Sequence, residues 1–176
     1  MKRYTFRPKA AILLVRETVD ILKRALGEKK ANVKISLDLG LTKSEVKLNE
    51  SGVVFPDGSI VELEILDKMK TGDVCMVKEG DVFKVAFYAN GRYYRLLAVE
   101  PDRAPTLEVS GIHMHRIENI TPWQDALEKV RALRVFDGAR VLDIGTGLGY
   151  TSIIAYRQGA EVTTVEIDPH VLEMAE

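Results

Sequence analysis

A chain of 176 residues with 46% hydrophobic and 29% charged residues can fill one sizeable core or two small ones, and points to a soluble globular protein. No apolar run approaches the roughly 18 residues of a membrane span, and the basic opening Met1-Lys2-Arg3-Tyr4-Thr5-Phe6 does not read as a signal peptide; no membrane partner and a cytoplasmic location are expected. A single cysteine, Cys75, excludes an internal disulfide, suits a reducing compartment and, in an apolar run, reads as a buried inert thiol.

The formal net charge of -1 hides a gradient. Residues 1–30 hold nine Lys/Arg against three Asp/Glu, whereas residues 143–176 hold one against six. A basic front end suits an anionic partner such as RNA, although no aromatic RNA-binding signature accompanies it.

In chain order, Ile12, Val15, Val19, Leu22 and Leu26 recur at spacings of three and four, predicting an amphipathic helix between Pro8 and Gly27. Residues 33–39 and 45–48 alternate as strands, and Phe55-Pro56-Asp57-Gly58 is a turn leading to a strand over 60–65. Three further strands are expected over 73–77, 82–89 and 92–99, hinged at Glu79-Gly80-Asp81 and at Asn90-Gly91, a strong hairpin signal. Asp102-Arg103-Ala104-Pro105 and Ser110-Gly111 read as a boundary. Two domains follow: 1–112, a helix plus a small antiparallel sheet, and 113–176, which opens with a helix at Thr121-Pro122-Trp123-Gln124. There, Thr cap, proline in the first turn and a Gln three residues after the cap combine, with Trp123, Leu127, Val130 and Leu133 as the apolar face. Strand 140–144, a glycine turn, helix 150–158, Gly159 as stop, strand 162–167 and a helix opening at Asp168-Pro169 then make a β-α-β unit. The expected fold class is α/β.

In such a unit ligands sit beyond the carboxyl ends of the strands. Gly145, Gly147 and Gly149 occupy the first strand-to-helix turn, where missing Cβ atoms let a ligand approach the backbone and a helix start offers N–H groups to an anion. Thr146 lies within this turn, and Thr151 and Ser152 follow with hydroxyl donors. Twenty-one residues beyond Gly145, Glu166 ends the second strand, placed to accept hydrogen bonds from ribose hydroxyls. A dinucleotide fingerprint G-x-G-x-x-G requires glycine where Tyr150 stands. The spacing is instead G-x-G-x-G, with Asp143 two residues upstream; a carboxylate there disfavours a pyrophosphate and favours the ammonium and sulfonium charges of S-adenosylmethionine.

Val141-Leu142-Asp143-Ile144-Gly145-Thr146-Gly147-Leu148-Gly149 resembles motif I of class I S-adenosylmethionine-dependent methyltransferases, and Val165-Glu166-Ile167-Asp168 resembles their acidic second motif. The whole chain resembles a group of predicted archaeal methyltransferases, some described as spermine-synthase-like. The resemblance is carried by Ile35-Ser36-Leu37-Asp38-Leu39-Gly40-Leu41-Thr42, Thr106-Leu107-Glu108-Val109-Ser110-Gly111-Ile112, Met114-His115-Arg116 and Leu148-Gly149-Tyr150-Thr151. It implies that 113–176 is the first β-α-β unit of a Rossmann-like domain. Asp143, Gly145, Thr146, Gly147, Gly149 and Thr151 would then hold the methionine end of S-adenosylmethionine and Glu166 the ribose, with Asp168 of the second motif also in the cofactor site.

Such a domain has about seven strands and this stretch supplies two, so the chain is expected to be the front part of an enzyme. Catalytic residues and the acceptor, whether small molecule, RNA or protein, are not legible, and homo-oligomerisation is possible. Aminopropyl transfer to a polyamine, with further acids downstream, and a non-catalytic RNA-binding module on the basic first thirty residues are the alternatives. His113 and His115 share a strand face but lack a third ligand, so no metal is expected; Trp123 reads as a core indole and His170 as exposed.

Overall fold

A computed structural model describes residues 3–176. The chain divides into two units, one made of Ala10–Ala86 with Leu96–Pro105, the other of residues 3–9, Phe87–Arg95 and Thr106–Glu176.

In the first unit, β1 (Ile12–Val15) runs directly into α1 (Arg16–Gly27). The helix expected from Pro8 therefore starts later. Four consecutive bulky apolar residues suit a buried strand as well as a helix face, and β1 pairs antiparallel with a later strand, from Ile12↔Val77 to Val15↔Val74. Thr18, Val19, Leu22 and Ala25 form the buried face of α1, and Gly27 is its last residue; the left-handed turn beyond it falls on Lys29.

β2 (Asn32–Ile35), β3 (Ser44–Asn49), β4 (Gly52–Val54) and β5 (Ile60–Val61) pair successively and antiparallel. The strand expected over 60–65 stops at Val61, and Leu63–Asp67 is helix α2. Leu63, Leu66 and Met69 are three apart, and burying Leu66 (0% exposed) and Met69 requires helical spacing. β6 (Val74–Lys78) and β7 (Asp81–Lys84) form a hairpin on Glu79-Gly80, both at positive φ. The single strand expected over 82–89 breaks at Val85. Its N–H bonds Val74 and its carbonyl accepts from Leu96, so the chain leaves one sheet for another at that residue.

β8 (Ala86–Ala89) and β9 (Arg92–Leu97) follow, joined by Asn90-Gly91, again both at positive φ. β10 (Thr106–Val109) and β11 (Ile112–His113) complete a sheet of order β11-β10-β9-β8. Ser110-Gly111, read as a boundary, is a hairpin turn of the same kind, with φ of 49° and 88°.

α3 (Pro122–Ala132) opens with the expected capping box: Thr121 Oγ1 accepts from the Gln124 N–H, and Gln124 Oε1 from the Thr121 N–H at 3.1 Å. Its inner face carries Ala126 and Val130, while Leu133 is 65% exposed. β12 (Arg140–Ile144), α4 (Tyr150–Arg157) and β13 (Glu161–Val165) form a parallel pair with a crossover helix, in register from Arg140↔Glu161 to Ile144↔Val165. Val141 and Val162 pack with Ala126, Val130, Ile154 and Ala155. α5 (Pro169–Ala175) is capped by Asp168, whose side chain accepts from the His170 N–H.

The architecture is mixed α/β, with antiparallel sheets, a parallel pair and, among the described residues, five helices. It differs from two contiguous blocks cut at residue 112. The β8–β9 hairpin belongs with the C-terminal stretch because Phe87 and Tyr94 pack against His170 and the Tyr94 hydroxyl bonds Asp168. Among the described residues no helix is long and apolar enough to cross a membrane.

Candidate functional site

The loop between β12 and α4 hangs from the end of β13. The N–H groups of Gly145 and Thr146 both donate to the Val165 carbonyl, at 2.8 and 3.0 Å, and Gly149 N–H donates to Thr146. Gly145 has φ +90°, and a Cβ built on it meets no atom within 4 Å, so the loop is open to solvent at that point. Gly147, at φ +56°, is crowded instead: a Cβ there would lie 3.2 Å from Met114 Sδ. Gly149 is the N-terminal cap of α4, and Thr151 lies half-buried in its first turn.

Two carboxylates end the adjacent parallel strands. Asp143 accepts the Ser152 hydroxyl at 2.5 Å, tying β12 to the first turn of α4, while Thr146 and Thr164 share a hydrogen bond of 2.7 Å. Glu166 accepts from Gly147 N–H at 3.0 Å through one oxygen and from the Ile167 and Asp168 N–H groups at 2.9 and 3.1 Å through the other. It thereby clamps the glycine loop to the turn after β13. Three N–H donors leave part of a carboxylate's roughly four acceptor positions open.

Asp168 is more heavily engaged. Besides capping α5 it accepts the Tyr94 hydroxyl at 2.7 Å, with Arg92 Nη1 at 3.5 Å. Burial alone would raise its pKa, but the Tyr94 hydroxyl, the His170 N–H and the nearby charges outweigh that and hold it below the usual carboxylate range; the same hydrogen bond pushes the Tyr94 phenol up.

The segment after β11 covers the loop. Met114 approaches Gly147, and His115 bonds Thr106 Oγ1 at 3.0 Å while its ring lies 5.1 Å from that of Tyr150. Tyr150 in turn meets Trp123 edge-on at 5.8 Å, and Arg157 lies over the indole. Trp123 is thus part of the packing behind α4. Burial lowers the His115 pKa and raises that of Tyr150. Arg116 reaches Asp125, a carboxylate with no exposed side-chain surface that also receives Lys129 at 2.7 Å.

His113 and His115 have separate partners: His113 Nε2 lies 3.2 Å from Glu108, which Arg95 grips through two nitrogens. Among the described residues no three His, Cys, Asp or Glu side chains are grouped to hold a metal ion. His170, expected to be exposed, is half-buried between Phe87 and Tyr94 and bonds Asn90. Cys75 is buried, and desolvation pushes its thiol up to about 11, which keeps it protonated and inert.

A cavity of about 480 Å³ is lined by Glu166, Ile167, Asp168 and Val171, together with a second set, Arg92, Val109, Ser110, Ile112, His113 and Met114. Of this second set, Val109, Ser110, Ile112 and Met114 lie in stretches that carry the family resemblance, but none was assigned to the cofactor site. Its sequence signal was the Asn90-Gly91 turn and the stretch from Thr106 to Arg116, whose importance shows only when β11 lies beside the glycine loop.

The chain is 42% identical over 164 residues to an uncharacterized protein of Methanocaldococcus jannaschii, a match that covers 90% of this chain and 55% of that protein. It is also 51% identical over 45 residues to protein-L-isoaspartate O-methyltransferase of Gloeobacter violaceus, covering 26% of this chain and 22% of that enzyme. The chain thus spans about half the length of the archaeal relative and a smaller part of the bacterial one. No family model matches. Similarity to a methyltransferase is therefore present, confined to about a quarter of the chain.

Proposed function

We propose that residues 113–176 open a Rossmann-like domain that binds S-adenosylmethionine, and that the protein is a methyltransferase using it. The observation that carries this reading is the pair of acids at the ends of adjacent parallel strands, Asp143 and Glu166, fastened to the two sides of one glycine loop. The donor set fits the cofactor: the loop is open where Gly145 lacks a Cβ, and both fixed charges beside it are negative. A diphosphate would meet repulsion there, whereas a ligand with ammonium and sulfonium groups gains attraction. The 45-residue similarity to a methyltransferase supports the same reading.

Each residue then has a distinct task. Gly145 lets the ligand approach the backbone, Gly147 makes room for Met114 against the loop, and Gly149 starts the helix whose first turn, with Thr151 and the Thr146 hydroxyl nearby, offers donors to a carboxylate. Glu166 accepts from ribose hydroxyls through its remaining lone pairs. Asp168 stiffens the turn that presents Glu166, because it caps α5 and holds Tyr94. The cofactor itself brings the electrophilic methyl group, so the chain's contribution is to bind and orient. Aminopropyl transfer to a polyamine is less well supported, since the 45-residue similarity is to a methyltransferase.

Titration calorimetry with S-adenosylmethionine tests this directly. Glu166→Ala should cost about 1–3 kcal/mol of binding free energy, roughly a five- to 150-fold weaker affinity. Equal affinity in wild type and variant overturns the role of Glu166, and a wild type that takes up NAD but ignores S-adenosylmethionine overturns the whole reading.

A further inference from the structure

We infer that Tyr94 is a positioning residue for the ribose acid: its hydroxyl anchors Asp168, whose own backbone N–H aims the Glu166 carboxylate. This deepens the S-adenosylmethionine reading and rests on it.

Glu166 stands just beyond β13, and two of its three N–H donors, those of Ile167 and Asp168, come from the turn that follows. Where those N–H groups point decides where the remaining lone pairs of the carboxylate point. Packing gives this turn little help, since Ile167 is 97% exposed. Hydrogen bonds on Asp168 hold it instead: Oδ1 accepts the His170 N–H and Oδ2 accepts the Tyr94 hydroxyl at 2.7 Å. The first bond is local to the cap of α5. The second spans 74 residues of sequence and ties the turn to β9. Arg92 Nη1 approaches the same oxygen at 3.5 Å, but its side chain is 62% exposed and holds the turn less firmly.

Tyr94 is built as an anchor. It is 1% exposed, its ring stacks on Phe87 with centroids 5.2 Å apart, and the His170 ring lies 5.6 Å away, so the hydroxyl has a fixed place. Asn90, in the tight turn between β8 and β9, lies 3.2 Å from His170 Nε2, and the hairpin thereby grips the start of α5 through a second polar contact. The Asp168 carboxyl is held below the usual carboxylate range, so its oxygen is ionised at neutral pH and the bond from the phenol is of the stronger, charge-assisted kind. A phenylalanine would serve the ring stacking as well. What it would lack is the hydroxyl, and the partner of that hydroxyl is the residue whose N–H reaches Glu166 at 3.1 Å.

The test is a double-mutant cycle read by calorimetry with S-adenosylhomocysteine, on wild type, Tyr94→Phe, Glu166→Ala and the double variant. Tyr94→Phe keeps the stacked ring and should weaken the probe about fivefold in the wild-type background. In the Glu166→Ala background the same change should cost less than about twofold, because the carboxylate that it aims is gone. A residue that merely stabilised the fold would weaken the probe equally in both backgrounds, and that result overturns the inference. Wild-type affinity in Tyr94→Phe beside a loss in Glu166→Ala also overturns it, while the cofactor reading stands. If wild type does not bind the probe, the cofactor reading fails and this inference with it.

Discussion

The two units of the chain bury their apolar side chains in opposite ways. In the first, a cluster joins fifteen buried residues contributed by two helices and by strands from both its sheets, with Leu14, Val19, Leu22, Val46, Val53, Val61 and Leu66 wholly inaccessible. In the second, the parallel pair is packed on one face only: Val141 and Val162 lie against α3 and α4, while Leu142 and Ile144 on the other face are 63% and 79% exposed. The first unit spends its sequence on a core. The second places its polar groups at strand ends, where hydrogen bonds fix a loop instead of filling space. Mutation of the first unit's core should therefore act through stability, and mutation of the second unit's glycine loop mainly through binding.

The largest expected effect is in the first unit. Leu22 lies on the buried face of α1 and is fully inaccessible, so Leu22→Ala removes its methyl groups from a packed site and leaves a cavity, at a cost of about 2–5 kcal/mol. Denaturant unfolding would measure it, and a loss below about 1 kcal/mol would show that this core relaxes around the gap.

Next in size is the ion cluster on α3. Burial alone would raise the Asp125 pKa, but the bonds from Lys129 and Arg116 outweigh it and hold the carboxyl below its ordinary value of 3.8. A depressed native pKa adds stability that is present above the unfolded value and is lost as pH falls through the native one. Asp125→Ala should thus cost about 2 kcal/mol near neutral pH, because it removes hydrogen bonds to charged groups. The difference from wild type should shrink below about pH 4. A difference that stays constant from pH 7 to pH 3 would show that the ionised form of Asp125 contributes nothing.

These contrasts explain which parts were legible beforehand. The α3 start, β12, the glycine turn and the start of α5 were readable because each is specified locally, by Thr121-Pro122 with Gln124, by glycines at positive φ and by Asp168-Pro169. The early elements were harder. Ile12-Leu13-Leu14-Val15 satisfies helix and strand patterns alike, and only the partner strand Val74–Lys78 decides between them. Val85 looks like mid-strand, yet its two hydrogen bonds run to different strands. At the candidate site, the residues on the glycine loop were legible, while Arg92, Ile112 and Met114 were not. Their place depends on the pairing of β9 with β10, which no local signal announces. Asp168 was grouped with the cofactor residues, and its cap and its bond to Tyr94 add a structural task that needed coordinates to see.

The smallest expected effect concerns the open face of the parallel pair. Ile144 is 79% exposed, so its side chain is nearly as hydrated in the folded chain as in the unfolded one, and little apolar transfer energy is at stake. Ile144→Ser should change unfolding free energy by less than about 0.5 kcal/mol, a small fraction of the Leu22→Ala loss. The two substitutions remove comparable amounts of hydrocarbon, and although Ile144→Ser also adds a hydroxyl, their difference mainly reflects burial. A loss of several kcal/mol at Ile144 would mean that this face is covered in the protein under the conditions of measurement, and the contrast between a packed unit and a half-open one would then have to be withdrawn.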